Sequence, residues 1–268
     1  MPRVRVDAID LYVEERGAGS PILGIHGTPS SAVMWEEAAV TLGRHGRCIT
    51  YDRRGFFRSA GSAPPESLDL DRHVADAAAL LDELDAAPAI VIGRSTGGQI
   101  ALEFALTHPD LVRALVLLEP AVFTIAPEAE AWADALRDRT LAVAAEDPQL
   151  AAESIVRDAL GDDTWDSLPV ELTAMFAATS PGVLAEIRGA GLDLSARPRR
   201  YTEEELATVA MPVLVVGAET SPEPLRRVAA ALPALLPAAR AARVPGGHLI
   251  DPAAPIVLKF IDEQLSGG

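Results

Sequence analysis

The sequence predicts an α/β fold in which helices cover both faces of a mainly parallel sheet. Short apolar runs alternate along the chain with longer stretches of helical periodicity. Each run is bounded by Gly, Pro or charged residues and is too short to be a buried helix. The composition, 49% hydrophobic over 268 residues, is sufficient for a large core and excludes a disordered chain.

Eight strands are expected, in chain order. An antiparallel hairpin at one edge pairs residues 4–6 with 11–15 through a turn near residues 7–10. Six further apolar runs are predicted as buried strands; they span residues 21–25, 47–51, 89–92, 114–118, 213–216 and 241–244.

Helices are expected between these strands and in one long insertion. The helices of the core are predicted at 31–42, 68–84, 97–107, 222–232 and 253–265. Between 122 and 208 we find no convincing strand, only the helical segments 128–145, 149–160 and 170–178, separated by breakers such as Ser180-Pro181-Gly182. We interpret 122–208 as a helical cap or lid inserted into a core formed by 1–121 and 209–268.

Composition excludes several classes of function. The net charge of −16 would repel a phosphate backbone, so nucleic acid is not an expected partner. A single cysteine, Cys48, can form neither an internal disulfide nor a cysteine-based metal cluster. We find no apolar signal segment and no run of the roughly 20 apolar residues that a membrane helix needs, so a cytoplasmic protein that does not bind membranes is expected.

The motif Gly93-Arg94-Ser95-Thr96-Gly97 lies between a predicted strand and a predicted helix. A serine on a strained turn of this kind projects its hydroxyl away from the backbone. The following helix directs its N-terminal N–H groups toward any negative charge that develops beside the serine. Ser95 is therefore the candidate nucleophile; the alternative is a glycine-rich packing turn with a solvent-exposed serine.

A serine nucleophile needs a base, and His248 is the candidate. It follows the last predicted strand on a loop at the same sheet edge as Ser95, where open α/β sheets gather their catalytic groups. The remaining histidines are His26 after strand 21–25, His45 and His73 in polar surroundings that suggest exposure, and His108 at a helix end.

Acyl transfer also needs hydrogen-bond donors for an oxyanion. The sharp turn Gly24-Ile25-His26-Gly27-Thr28-Pro29 follows a strand. We predict that the backbone N–H of Gly27 or Thr28 acts together with that of Thr96, the residue after the nucleophile.

These motifs, in this order, resemble the α/β-hydrolase family over almost the whole chain. The resemblance rests on His26-Gly27-Thr28-Pro29, Tyr51-Asp52-Arg53-Arg54-Gly55, the serine turn, the cap-sized insertion and the late His248. It implies the α/β-hydrolase fold and a serine hydrolase that needs neither cofactor nor metal.

The acid that would orient His248 departs from the family's usual position, where Thr220 stands. Glu119 instead ends the apolar strand 114–118, where a charged group is costly unless it has a partner. We therefore predict that Glu119 is the acid, which leaves Glu219, Glu223 and Asp251 as alternatives.

With a glutamate after this strand, the chain resembles a smaller group, the zearalenone lactonase-like hydrolases. Similar features are the loop Val216-Gly217-Ala218-Glu219-Thr220 and the turn Pro245-Gly246-Gly247 before the late histidine. The expected function is cleavage of a small-molecule ester or lactone through an acyl-enzyme, with zearalenone-type lactones among the substrates that the resemblance implies. A carbon–carbon bond hydrolase, a perhydrolase and a non-catalytic small-molecule receptor on the same scaffold are alternatives, and a homodimer is compatible with the sequence.

Seven apolar residues are candidates for the substrate pocket, each with ordinary packing as the alternative. They are Met34, Trp35, Phe123 and Leu249 from the core and Trp132, Phe176 and Val183 from the cap.

Overall fold

Eight strands form one sheet in the computed structural model, which describes residues 3–61 and 65–266. The strands are β1 (Arg3–Val6), β2 (Ile9–Arg16), β3 (Pro21–Ile25), β4 (Arg47–Tyr51), β5 (Ala89–Arg94), β6 (Val112–Leu118), β7 (Val213–Ala218) and β8 (Ala239–Val244). Their spatial order is β1-β2-β4-β3-β5-β6-β7-β8. β2 runs antiparallel to β1 and β4, whereas every other neighbouring pair, from β4–β3 to β7–β8, is parallel. The predicted fold class is confirmed.

Both edges of the sheet differ from the predicted details. The turn of the first hairpin is shorter than expected, because Val6 pairs with Ile9 and only Asp7 and Ala8 lie between the strands. At the other edge, β8 is largely exposed rather than buried. Its arginines, Arg240 and Arg243, suit an edge strand, since charged side chains discourage further strand pairing.

The central strands are buried on both faces, and alternate residues serve different cores. Ile90 and Ile92 of β5 belong to the smaller core cluster, whereas Val91 between them belongs to the larger one. All three are fully buried. Burial stabilises each such side chain by about 1.5–3 kcal/mol, which explains why these runs are continuously apolar.

Five helices cover the two faces of the sheet close to their predicted positions. They are α1 (Glu36–Leu42), α2 (Leu70–Glu83), α3 (Thr96–Thr107), α10 (Glu223–Ala231) and α11 (Pro255–Ser266). Buried residues of α1 and α11 belong to the smaller core cluster, and those of α2, α3 and α10 belong to the larger one. No helix in the described part of the chain has both the length and the apolar character required to cross a membrane.

The segment between β6 and β7 is helical. Its helices are α4 (Pro127–Glu146), α5 (Ala151–Leu160), α6 (Asp162–Asp166), α7 (Val170–Ala178), α8 (Ser180–Arg188) and α9 (Glu203–Leu206). Three of these helices, α6, α8 and α9, are not predicted by the sequence pattern. Ser180-Pro181-Gly182 was expected to interrupt a helix, yet these residues start α8, because proline is well tolerated in the first turn of a helix.

The strand order reverses beside β3, and this reversal positions the site. From β3 the chain continues into β4 on one side, whereas β5 lies on the other side of β3. The loops that leave the carboxyl ends of β3 and β5 therefore diverge and leave a crevice between them, where open α/β sheets bind ligands. Gly27 follows β3 and Ser95 follows β5 at this crevice.

Candidate active site

Ser95 lies on a strained turn between β5 and α3. Its φ of 56° is in the left-handed region, which non-glycine residues seldom adopt and which is often found at functional sites. The backbone N–H of Ser95 donates to the carbonyl oxygen of Leu118 at 3.0 Å and ties the turn to β6. A Cβ at Gly97 would lie 2.2 Å from the carbonyl oxygen of Ile25, so that position accepts only glycine without a shift. The strand-turn-helix context expected for Ser95 is present.

His248 and Glu119 form a buried hydrogen-bonded pair. The distance from His248 Nδ1 to Glu119 Oε2 is 2.8 Å, and the glutamate is fully buried. Two further donors hold the carboxylate: the N–H of Ala218 at 2.9 Å from Oε1 and Ser221 Oγ at 2.7 Å from Oε2. Since a carboxylate can only accept, Nδ1 of His248 is the donor in this hydrogen bond, and the neutral form of the ring therefore has its lone pair on Nε2.

The three alternative acids have other surroundings. Glu219 is exposed at the end of β7. Glu223 is exposed and pairs with Arg227 one helical turn away. Asp251 is exposed and accepts a hydrogen bond from the N–H of Ala253. Among the four candidates, Glu119 is the one that accepts a hydrogen bond from His248.

The turn after β3 packs directly against the serine. A Cβ at Gly27 would lie 3.0 Å from the Cβ of Ser95 and 2.9 Å from the carbonyl oxygen of Arg94, so the two loops are in close contact. Thr28 is followed by a cis peptide bond to Pro29. The backbone N–H groups of Gly27 and Thr96 have no backbone acceptor within the described residues. The two groups belong to the turns that meet at Ser95.

A buried ionic network stabilises the turn after β3. Arg53, fully buried, donates to Glu186 Oε1 at 2.5 Å, to Thr28 Oγ1 at 2.5 Å and to the carbonyl oxygen of Gly27 at 3.1 Å. Burial alone would raise the pKa of Glu186, but the charge of Arg53, together with contacts to His73 and Thr28, outweighs it and holds this pKa below its ordinary value. Because Glu186 belongs to α8, the network connects the inserted helices to the turn.

Two further histidines belong to this network rather than to the cavity. Burial, followed by the nearby charge of Arg53, lowers the pKa of His26 well below its ordinary value. His26 Nε2 accepts the N–H of Arg53, and its Nδ1 donates to the carbonyl oxygen of Gly27. The expected exposure of His73 is wrong: this side chain is buried and lies 2.8 Å from Glu186. A polar sequence context concealed its position, because the partner is 113 residues away in the chain.

Ser95 and His248 line one cavity, which has mostly apolar walls and is partly open to solvent. Four predicted pocket residues line it: Phe123, Trp132, Phe176 and Leu249. Lining residues that the sequence analysis did not single out include Leu136, Ile155, Val156, Leu160, Leu194 and Leu225. Their signal, helical periodicity, is shared with ordinary core residues and cannot separate the two roles.

Three predicted pocket residues lie elsewhere, which corrects that part of the prediction. Trp35 is buried in the smaller core cluster, against Gly24, where a Cβ would lie 2.8 Å from its ring. Met34 packs against both core clusters. Val183, on α8, is fully buried in the larger cluster. An apolar residue predicts burial, but not whether a cavity or another side chain lies opposite.

Asp193 is a cavity residue that the sequence analysis missed. It follows α8, and Thr96 Oγ1 donates to its Oδ2 at 3.1 Å. Burial, and then the negative charge of Glu186, raises the pKa of Asp193 to about 7. A single carboxylate between Leu192 and Leu194 was the available signal, because such a position places charge among apolar neighbours.

The chemistry that this geometry permits is nucleophilic. The site contains a serine on a strained turn, a histidine with a free Nε2 and a pair of unused backbone N–H groups. No group of three His, Cys, Asp or Glu side chains among the described residues has an arrangement that could hold a metal ion.

Comparisons with known proteins agree with the fold described above. Residues 20–250 match the family described as alpha/beta hydrolase fold. The chain is 28% identical to a 2-(acetamidomethylene)succinate hydrolase from Mesorhizobium japonicum over 278 residues, which cover 97% of this chain and 92% of the relative. It is 37% identical to a non-heme chloroperoxidase from Streptomyces lividans over 116 residues, 42% of this chain and 41% of the relative. Among solved structures, a thermophilic esterase from Thermogutta terrifontis superposes with a TM-score of 0.75 and 26% identity, and the match covers 99% of this chain and 98% of the esterase.

Proposed function

Because the chain belongs to the α/β-hydrolase family, we propose that it is a serine hydrolase of carboxylic esters or lactones. The observation that carries this proposal is the 2.8 Å hydrogen bond between His248 and Glu119 beside a cavity that Ser95 also lines. A histidine held in this way has its basic nitrogen free, which is the requirement for activating a serine.

In the proposed mechanism, His248 takes the Ser95 proton while Oγ attacks the substrate carbonyl carbon. The tetrahedral oxyanion accepts hydrogen bonds from the backbone N–H of Thr96 and of Gly27 or Thr28. His248 then protonates the leaving alcohol, and the C–O bond breaks to leave an acyl-enzyme. Water, deprotonated by the same histidine, releases the acid and regenerates Ser95. In a lactone the alcohol remains attached to the acyl group until that last step.

Glu119 acts on His248 rather than on the substrate. Its carboxylate fixes the histidine tautomer and offsets the positive charge that develops on the ring. The donors from Ala218 and Ser221 hold the carboxylate in a single position, so the ring is oriented before substrate binds.

We further propose that residues 122–208 form a cap over the site on the core of 1–121 and 209–268. Ten of the nineteen residues that line the cavity belong to this segment. The cap would therefore select substrates chiefly by apolar contact. Zearalenone-type lactones are included among the proposed substrates because the position of Glu119 resembles that group. A cytoplasmic location, a homodimer and the independence from a cofactor stay predictions of the sequence.

The test combines turnover with covalent labelling. Wild-type protein should hydrolyse p-nitrophenyl acetate and butyrate over many cycles, and a fluorophosphonate should label Ser95, identified by peptide mass spectrometry. Ser95→Ala and His248→Ala should each lower kcat by at least about 10⁴-fold. The exposed Ser167→Ala is the matched control and should keep full activity.

Activity that survives Ser95→Ala, or a label on another residue, contradicts the proposed nucleophile. A single slow cycle that leaves a lasting adduct would favour the receptor alternative over an enzyme.

A perhydrolase is the second candidate, favoured by the similarity to a non-heme chloroperoxidase. The same acyl-enzyme would then be attacked by hydrogen peroxide instead of water, and the product would be a peracid. Bromination of monochlorodimedone in the presence of acetate, peroxide and bromide measures this reaction. A rate that exceeds ester hydrolysis would make perhydrolysis the principal activity.

A further inference from the structure

Arg94 is a buried cation immediately before Ser95. It is the last residue of β5, keeps only 5% of its surface exposed and lines the cavity. Consecutive Cα atoms lie about 3.8 Å apart, so the guanidinium can reach a group only a few bonds from a carbonyl bound at Ser95. The mechanism proposed above uses the backbone at this turn but gives the Arg94 side chain no role.

The protein compensates this charge only weakly, through one backbone carbonyl and the Trp35 ring, whose centroid lies 5.9 Å from the guanidinium carbon. Arg94 Nη1 donates to the carbonyl oxygen of Ile250 at 3.4 Å, which is a long hydrogen bond. No Asp or Glu among the described residues forms an ion pair with it. Asp251 acts on it only through its field and is itself exposed. Burial lowers the pKa of Arg94 to about 10, so the side chain still carries its charge at neutral pH.

A second buried arginine shows what full compensation looks like in this fold. Arg53 donates to Glu186, to Thr28 Oγ1 and to the carbonyl oxygen of Gly27. A buried guanidinium without such partners destabilises a protein, because its five N–H donors lose their hydration. Arg94 lines the cavity, which is the space from which a bound ligand would approach its guanidinium.

We propose that Arg94 binds a carboxylate of the substrate, so that the natural substrate is an ester or lactone carrying an acidic group close to its scissile carbonyl. A guanidinium and a carboxylate form two parallel charge-assisted hydrogen bonds, which supply the partners that the protein does not. The remaining walls are mostly apolar and suit a short hydrocarbon portion.

The inference rests on the proposed ester hydrolysis, and it separates two kinds of substrate. An acidic ester presents a carboxylate to the positive charge of Arg94. A neutral macrocyclic lactone has no group that could neutralise this charge. The first experiment compares kcat/KM for monoethyl succinate with that for ethyl 4-methylpentanoate, in which an isopropyl group replaces the carboxylate at similar size. Wild-type protein should prefer the anion, and Arg94→Met should lower the ratio by about 10- to 100-fold.

Arg94→Lys should retain part of the preference because the positive charge stays. The control is Arg240→Met, which removes an exposed arginine of β8 that pairs with Glu263. This variant should leave the ratio unchanged. A ratio that Arg94→Met does not alter overturns the proposal. So does a wild-type enzyme that hydrolyses zearalenone more efficiently than monoethyl succinate.

A binding measurement distinguishes failure of this inference from failure of the proposed function. Calorimetric titration with hexanoate and with hexanamide requires no turnover. Arg94→Met should weaken hexanoate binding by at least about 10-fold and hexanamide binding by no more than about 2-fold. If wild-type protein hydrolyses no ester but shows this difference, the anion subsite stands and the proposed function fails. Equal weakening of both ligands overturns the subsite.

The stability of the Arg94→Met variant provides a further test, because the loss of an arginine that supports the fold would lower it. Because no ion pair is lost, the urea midpoint of Arg94→Met should equal or exceed that of wild type. A clear decrease would mean that the side chain supports the fold, and it would count against a role in binding.

Discussion

Replacing Glu119 by glutamine tests the role of the acid with the smallest change in shape. The amide keeps one oxygen, which can still accept the N–H of Ala218, now at 2.9 Å from Oε1. It places an NH₂ group where Oε2 accepts from His248 Nδ1 and Ser221 Oγ at 2.8 and 2.7 Å. The serine hydroxyl can turn and accept. The histidine must move its proton to Nε2, the atom that would receive the proton of Ser95.

The wrong tautomer therefore removes the base while the fold remains. An equivalent substitution in a serine protease lowers kcat about 10⁴-fold, which corresponds to about 5.5 kcal/mol of transition-state stabilisation. We expect a loss of this size for Glu119→Gln, measured as kcat on p-nitrophenyl butyrate, with KM nearly unchanged and thermal unfolding within a few degrees of wild type.

Glu219→Gln is the matched control, because Glu219 is exposed at the end of the neighbouring strand. It should retain wild-type kcat. A larger loss in Glu219→Gln than in Glu119→Gln would refute the assignment and return the acid to the family's usual region. A loss below about 10-fold in both variants would show that His248 needs no buried carboxylate.

Three further predictions concern stability and reactivity. Asp193 has its pKa raised from 3.8 to about 7, so between these values the native state holds a proton that the unfolded chain releases, and the free energy of unfolding falls as pH rises. Asp193→Asn lacks this term, so its urea midpoint relative to wild type should be higher at pH 8 than at pH 5; a constant difference would contradict the shift. Gly97→Ala should destabilise the fold by about 1–3 kcal/mol and reduce kcat, because its Cβ would lie 2.2 Å from the carbonyl oxygen of Ile25; wild-type thermal unfolding and kcat would be the contrary result. Cys48 is fully buried and burial raises its pKa to about 12, so Ellman's reagent should react with it only after denaturation, and rapid reaction of the native protein would refute this.

Some parts of the site could be predicted because their causes are local. Ser95 was recognisable since a strand, a Gly-x-Ser-x-Gly turn and a helix are consecutive in the chain, and the observed φ of 56° is the strain that such a turn implies. Glu119 was a reasonable inference for a related reason: a charge at the end of an apolar strand needs a partner. That reasoning could not exclude the three other acids.

The parts that failed depend on what lies opposite a side chain. Trp35 and Val183 are as apolar as Phe123, but they pack against other residues, whereas Phe123 lines the cavity. His73 has polar sequence neighbours, but the fold buries it against Glu186. Neither outcome is encoded within one helix or one strand.

By itself, the sequence determined the order of the strands and of the helices that cover the sheet, the parallel sheet and the serine turn, because each follows from apolar periodicity and glycine spacing within short segments. Only the tertiary structure decided that Glu119 rather than three other acids contacts His248, 129 residues away, and that Arg94 lacks an acidic partner among the described residues. The physical reason is the distance along the chain over which each feature is determined. Periodicity selects the face on which a side chain lies, but the path of the whole chain selects the group that it meets there.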